Sequence, residues 1–63
     1  MSQWISFRDR LPTHEDANEK GEVELAETNG QRRRGLWDWI PPNHPQAKDL
    51  WRVNGFAAWR RIL

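Results

Sequence analysis

The sequence predicts a mainly β fold: a single small domain spanning residues 1–63, with an antiparallel sheet of four to five strands, an N-terminal strand plus two Asn-Gly hairpins, and little helix. Three observations lead there. Asn29-Gly30 and Asn54-Gly55 each separate runs of β-type residues, and Asn-Gly between such runs is the strongest short-range hairpin signal, because a type I′ turn needs positive φ at both central positions. The stretch Trp4 to Leu11 alternates in extended fashion before Pro12. Pro41, Pro42 and Pro45 exclude continuous secondary structure between the two hairpins.

Strands are predicted at about 4–8, 22–28, 31–39, 50–53 and 56–62. In the first, Trp4, Ser6, Arg8 and Arg10 lie on one side of an extended chain and Ile5, Phe7, Asp9 and Leu11 on the other, so Ile5 and Phe7 make the better core face. Pro12 ends the run, since proline has no amide hydrogen for a ladder. Residues 13–21 form a polar loop without a large apolar side chain; a helical turn there has no apolar face to bury.

A two-residue loop at Asn29-Gly30 sets Thr28 opposite Gln31, Glu27 opposite Arg32, Leu25 opposite Arg34 and Val23 opposite Leu36, with Glu24 diagonal to Arg33. The Asn54-Gly55 turn sets Val53 opposite Phe56, Trp51 opposite Ala58 and Asp49 opposite Arg60. Between the hairpins, Pro41 to Pro45 is a stiff connector, and Gln46 to Asp49 allows one short helical turn before a strand near Leu50.

A domain of 63 residues is near the lower limit for a self-sufficient core. The compensation lies in five tryptophans, Trp4, Trp37, Trp39, Trp51 and Trp59, each able to bury about 150–250 Å². With Ile5, Phe7, Val23, Leu25, Leu36, Ile40, Leu50, Val53, Phe56 and Ile62 they form the predicted core. There is no cysteine, which excludes a disulfide framework and any thiolate zinc site. No apolar run has the length of a membrane span and no basic-then-apolar leader opens the chain, so a soluble, cytoplasmic protein that avoids the membrane is expected.

The net charge of +1 conceals an asymmetry: residues 1–30 hold seven carboxylates against three cations, and residues 31–63 hold seven cations against two carboxylates. Either the halves fold against each other so that acid meets base across the sheet, or the surface is dipolar and steers a charged partner. Chemistry for catalysis is not legible. No hydroxyl nucleophile stands with a positioned base, the glycines are isolated rather than grouped in a phosphate loop, and no cofactor motif is present. His14, Glu15, Asp16 and Glu19 are the only donor cluster, and their spacing matches neither an EF-hand nor a zinc pattern. His44, among prolines, reads as an exposed side chain.

The candidate binding residues are Arg32, Arg33, Arg34, Trp37, Trp39, Arg60 and Arg61, with Arg52 and Trp59 near them in the pattern. Arginine with aromatic rings on a sheet serves a protein interface, where Trp and Arg are the favoured anchors, or holds single-stranded nucleic acid through phosphate contacts and base stacking. Trp37 and Trp39 share one face of the predicted strand with Arg33, over a floor left shallow by Gly35.

Trp4-Ile5-Ser6, the charged Arg8-Asp9-Arg10, Leu11-Pro12, Gly21-Glu22-Val23 and a tryptophan near the C-terminus, Trp59, together resemble a family of small proteins of unknown function carried by bacteriophages and prophages. The resemblance implies a phage or prophage origin and a small β-rich fold, and supplies no catalytic residue. Residues and resemblance together give the expectation of a non-enzymatic interaction protein, a phage accessory factor that binds and modulates a host protein in the bacterial cytoplasm. The alternative is a module for single-stranded nucleic acid using the arginine and tryptophan surface.

Overall fold

The computed structural model describes residues 3–62. They form one antiparallel four-stranded sheet and a single short α-helix. The strands are β1 (Ile5–Ser6), β2 (Glu22–Glu27), β3 (Arg32–Leu36) and β4 (Phe56–Arg60), the helix α1 is Ala47–Val53, and a 3₁₀ turn covers His14–Asp16. Across the sheet the order is β1, β4, β2, β3. The last strand is therefore inserted between the first two, and β1 pairs with β4: Ile5 faces Trp59 and Ser6 faces Ala58.

The mainly β class stands as predicted, with four strands. The second Asn-Gly hairpin does not. Residues 47–53 are helical, and Ala47, Leu50 and Trp51 repeat at the i, i+3, i+4 spacing of one helix face. Ala47 and Trp51 are buried and Leu50 packs against the core, whereas a strand through 50–53 would have split Leu50 and Trp51 to opposite faces. Entry is set by a turn in which the Ala47 amide donates to the His44 carbonyl and the Gln46 amide to His44 Nδ1. Asp49 in the first turn and Arg52 in the last complement the helix dipole. Asn54-Gly55 terminates this helix: the Asn54 side-chain and backbone amides both donate to the Leu50 carbonyl, and Gly55 takes a φ of +94°, the left-handed residue that commonly ends a helix. The expected pairing of Asp49 with Arg60 is lost with the hairpin, and Asp49 instead lies 3.9 Å from Arg52 along the helix.

The first hairpin forms, but one residue out of the predicted register. Ala26 faces Arg32, Leu25 faces Arg33, Glu24 faces Arg34, Val23 faces Gly35 and Glu22 faces Leu36. The reason is the turn. Asn29 has no positive φ while Gly30 has +91°, the Gly30 amide donates to the Glu27 carbonyl and the Glu27 amide to the Gln31 carbonyl. That is a three-residue loop, a type I turn completed by a left-handed glycine, rather than a two-residue type I′ turn. A slip of one residue exchanges the faces of the whole strand. Leu36, expected in the core, is thereby 49% exposed. Val53, expected in a core strand, sits on the outer side of α1 and is 79% exposed.

The buried core comprises Phe7, Val23, Leu25, Ile40, Ala47, Trp51, Phe56 and Trp59. Phe7 stacks on Trp51 with ring centroids 4.6 Å apart and planes 12° from parallel, and Phe56 meets Trp51 edge-on at 5.6 Å. Tryptophan is thus divided: Trp51 and Trp59 are core, Trp4 and Trp37 are half-buried, and Trp39 is 53% exposed. The polar loop 13–21 contains the helical turn its sequence allows, and that 3₁₀ turn buries no apolar face but a carboxylate. Asp16 accepts hydrogen bonds from the Thr13 amide and hydroxyl, both at 2.9 Å, and pairs with Arg10 at 3.1 Å and Arg61 at 2.9 Å.

Candidate functional site

The corrected register decides which arginines and which rings can meet. Directly opposed residues of an antiparallel pair point to the same face, so Arg33 and Gly35 belong to the face of Leu25 and Val23, on which α1 packs, and Arg32, Arg34 and Leu36 belong to the other. Gly35 leaves room here: a Cβ at this position would lie 2.7 Å from Leu25 Cδ1, so Leu25 leans into the space that a side chain would need and would have to shift to admit one. Beyond Gly35 the chain leaves the sheet at Leu36, earlier than the predicted strand end at residue 39. The Trp37 amide donates to the Gly21 carbonyl, and the Trp39 amide turns back to the Leu36 carbonyl at 3.2 Å. That turn separates Trp37 from Trp39.

Trp39 stands edge-on to Trp51 at 5.5 Å and to Phe56 at 5.9 Å. It forms one wall of a cleft of about 390 Å³ whose floor is Leu25, Gly35, Trp51 and Phe56 and whose rim is Arg33, Arg34 and Asn54. Trp37 sits elsewhere, half-buried against the core and edge-on to His14 at 6.0 Å. The predicted common face of Arg33, Trp37 and Trp39 is therefore reduced to Arg33 and Trp39.

The remaining candidates go to two other places. Arg60 donates from both Nε, at 3.1 Å, and Nη2, at 2.8 Å, to the one oxygen Glu24 Oε1, and its guanidinium lies 4.2 Å from the Trp4 ring centroid. Arg32 approaches the same ring at 5.6 Å. This outer face of the sheet is an arrangement of cations around an indole, with Ala26 and Ala58 facing each other at its centre. Arg61 is held by Asp16. Burial acting alone would raise the pKa of Asp16, but the bonds from Arg10, Thr13 and Arg61 outweigh it and hold the carboxyl well below the usual carboxylate range.

Of the seven candidates, then, Arg33 and Trp39 share the cleft face, Arg34 borders the cleft from the outer face on which Arg32 also stands, and Trp37, Arg60 and Arg61 support the fold around them. Trp51, Phe56 and Asn54 also line the cleft, the first two predicted as core and the third as part of a turn rather than as binding residues. The signal for them was the helical spacing of Ala47, Leu50 and Trp51, which places Trp51 inward and carries Asn54 to the cleft rim. Among the described residues no group of three or more His, Asp or Glu side chains is placed to hold a metal ion, and no helix is long and apolar enough to cross a membrane. Compared with protein-family models, curated proteins and solved structures, the chain matches none of them.

Proposed function

We propose that the protein is a non-enzymatic protein-binding module, and that the cleft beside β3 is its contact surface. The carrying observation is a conjunction on one edge of the sheet. Among the described residues no strand lies on the outer side of β3, its three consecutive arginines form no salt bridge with a described carboxylate, and next to them stands the half-exposed indole of Trp39 over an apolar floor. A cationic rim around an aromatic anchor in a pocket is the composition of an interface hot spot. The resemblance of Trp4-Ile5-Ser6 and Leu11-Pro12 to small phage and prophage proteins supports the narrower reading, an accessory factor that engages and modulates a host protein in the bacterial cytoplasm.

The test is affinity purification of the tagged protein from bacterial lysate with and without nuclease, followed by reconstitution with the purified partner. The reading expects a protein partner that survives nuclease and is lost with Trp39→Ala or Arg33→Glu. Recovery of nucleic acid alone, with affinity falling linearly in log salt, would instead establish the arginine and tryptophan surface as a single-strand binder.

A further inference from the structure

The outer edge of β3 has a defined hydrogen-bonding pattern. At one end of the β2–β3 ladder the Glu27 amide donates to Gln31, and at the other the Trp37 amide donates to Gly21. In an antiparallel ladder hydrogen-bonded and non-bonded pairs alternate. Arg33 and Gly35 therefore turn their backbone groups inward to Leu25 and Val23, while Arg32, Arg34 and Leu36 turn theirs off the edge. Outside the ladder, from which the alternation turns them away, no backbone or side-chain hydrogen bond between described residues reaches the amides of these three or the carbonyls of Arg32 and Arg34; the Leu36 carbonyl is taken by the Trp39 amide. Such an edge is a ready template for another strand.

We infer that β3 binds an extended peptide segment of its partner by strand addition, and that this segment alternates carboxylates with apolar residues. The inference rests on the reading of the cleft as a protein-contact surface and states how that surface works. Strand geometry fixes the alternation. Residues of an added strand opposite Arg32 and Arg34 fall on the outer face, within reach of two guanidiniums that pair with no described carboxylate. The residues between them fall on the cleft face, over Gly35 and beside Trp39, where apolar side chains fit.

The inner edge of β3 already accepts a strand of this kind. β2 reads Glu22-Val23-Glu24-Leu25-Ala26-Glu27, with Glu24 opposite Arg34 and Val23 opposite Gly35. A second copy of the chain is the poorer occupant. Two β3 strands paired antiparallel about their centre set Arg34 against Arg34, and like charges directly opposed are unfavourable. The arginine run thus blocks self-pairing while attracting an acidic strand.

The probe is the blocked octapeptide Gly-Glu-Val-Glu-Leu-Ala-Glu-Thr, the sequence of residues 21–28, titrated into isotope-labelled full-length protein. Two control peptides accompany it, one with lysine replacing each glutamate and one scrambled to break the alternation. Expected are saturable shifts of the Arg32, Arg34 and Leu36 amides, slowed hydrogen exchange at those amides alone within β3, and binding at least about tenfold tighter than either control.

The decisive variant is Arg34→Pro. Its ring occupies the position of an outward amide, so the β2 ladder remains and the outer edge is blocked. Arg34→Ala keeps the amide and loses only the charge. With folding verified by the unchanged β2 and β4 amide spectrum, Arg34→Pro must bind the peptide at least about tenfold more weakly than Arg34→Ala. Equal affinities for the two variants, or no shift of the edge amides at millimolar peptide, overturn strand addition. If Arg34→Pro instead disturbs the β2 and β4 spectrum, hydrogen exchange of the edge amides in the wild-type complex decides, and unslowed exchange there overturns it. A partner from the lysate that Trp39→Ala loses and Arg34→Pro retains refutes strand addition and leaves the protein-binding reading standing; a partner indifferent to both variants refutes the reading itself.

Discussion

The indole Nε1 of Trp59 donates a hydrogen bond to the Arg10 carbonyl at 3.0 Å, and the Arg10 guanidinium lies 4.7 Å from the centroid of the same indole. One residue thus closes on the tryptophan from two sides, and the local sequence arranges it. Ser6 Oγ accepts the Arg8 amide at 3.1 Å, and the Ser6 carbonyl accepts the amides of Asp9 and Arg10, so the chain turns directly after β1 and brings Arg10 over Trp59. Pro12 follows as a fully buried side chain. Ile5, which faces Trp59 across the sheet, and Arg10 thus join the opening stretch to the late tryptophan in one packing unit.

Trp59→Phe keeps most of the ring volume and removes the donor. The Arg10 carbonyl is then left without this partner, and stability is expected to fall by about 1–3 kcal/mol. Trp59→Ala, at about 3–5 kcal/mol, is expected to leave the protein unfolded at room temperature, since small domains hold little more than that in total. Urea denaturation followed by the remaining tryptophans measures both. A Phe variant as stable as wild type would show that the indole bond adds nothing.

Asp16 makes stability depend on acid. Its folded-state pKa lies below the unfolded value of ~4, because the donors from Arg10, Thr13 and Arg61 outweigh the opposing effect of burial. Its contribution is therefore complete above the unfolded value and is lost as pH falls through the folded one. The wild type is expected to lose stability progressively as pH falls below about 5. Asp16→Asn should be less stable at pH 7 and change less over the same acid range. Denaturant midpoints at several pH values decide it, and parallel pH profiles for the two proteins would remove Asp16 from the account.

Gly55 ends α1 in the left-handed region, and a Cβ there meets no atom within 4 Å, so substitution is penalised by backbone conformation alone. Gly55→Ala is expected to cost about 1–2 kcal/mol. D-alanine at the same position, introduced by chemical synthesis, prefers that conformation and should stabilise by about 0.4–1 kcal/mol. Thermal melts of the two synthetic proteins test the sign. Gly35 differs: its φ is not positive, but an added Cβ would meet Leu25 at 2.7 Å, so Gly35→Ala should cost about 1–3 kcal/mol through overpacking and D-alanine should bring no relief.

The two Asn-Gly dipeptides show how far the sequence could be read. Asn29-Gly30 marks a hairpin in either reading, because Gly30 supplies positive φ to a two-residue or a three-residue loop. Local chemistry does not distinguish them, yet the choice decides whether Leu36 or Gly35 faces the core. Asn54-Gly55 carries the same letters at the end of a helix, where glycine is again the left-handed residue. What separates the cases lies upstream, in the i, i+3, i+4 spacing of Ala47, Leu50 and Trp51, and in a run this short apolar periodicity alone does not arbitrate between helix and strand. The candidate site inherited both errors. Arg33 and Trp39 were legible as neighbours through Gly35, while the floor made by Trp51 and Phe56 depends on a helix packing over the sheet, a long-range event that no local pattern encodes.

Trp37 and Trp39 are two positions apart, and the structure assigns them different roles, which predicts different responses to truncation. Trp39 is 53% exposed, and the rings it touches, Trp51 and Phe56, also contact each other at 5.6 Å. Its loss forfeits edge-on aromatic contacts of about 0.5–1.5 kcal/mol each, and part of its area stays hydrated in either state. Trp39→Ala should therefore lower stability by about 1–2 kcal/mol and remain folded. Trp37 is half-buried against the core and tied at its amide to Gly21, so Trp37→Ala should cost more, about 2–3 kcal/mol. Trp51→Ala, deleting a fully buried ring stacked on Phe7, should not fold at all. Thermal melts and one-dimensional spectra of the three variants give the order, and partner capture should then fall with Trp39→Ala at full occupancy of the folded state. If Trp39→Ala unfolds the protein, the wall of the cleft is part of the core, and the contact surface proposed for it must be given up.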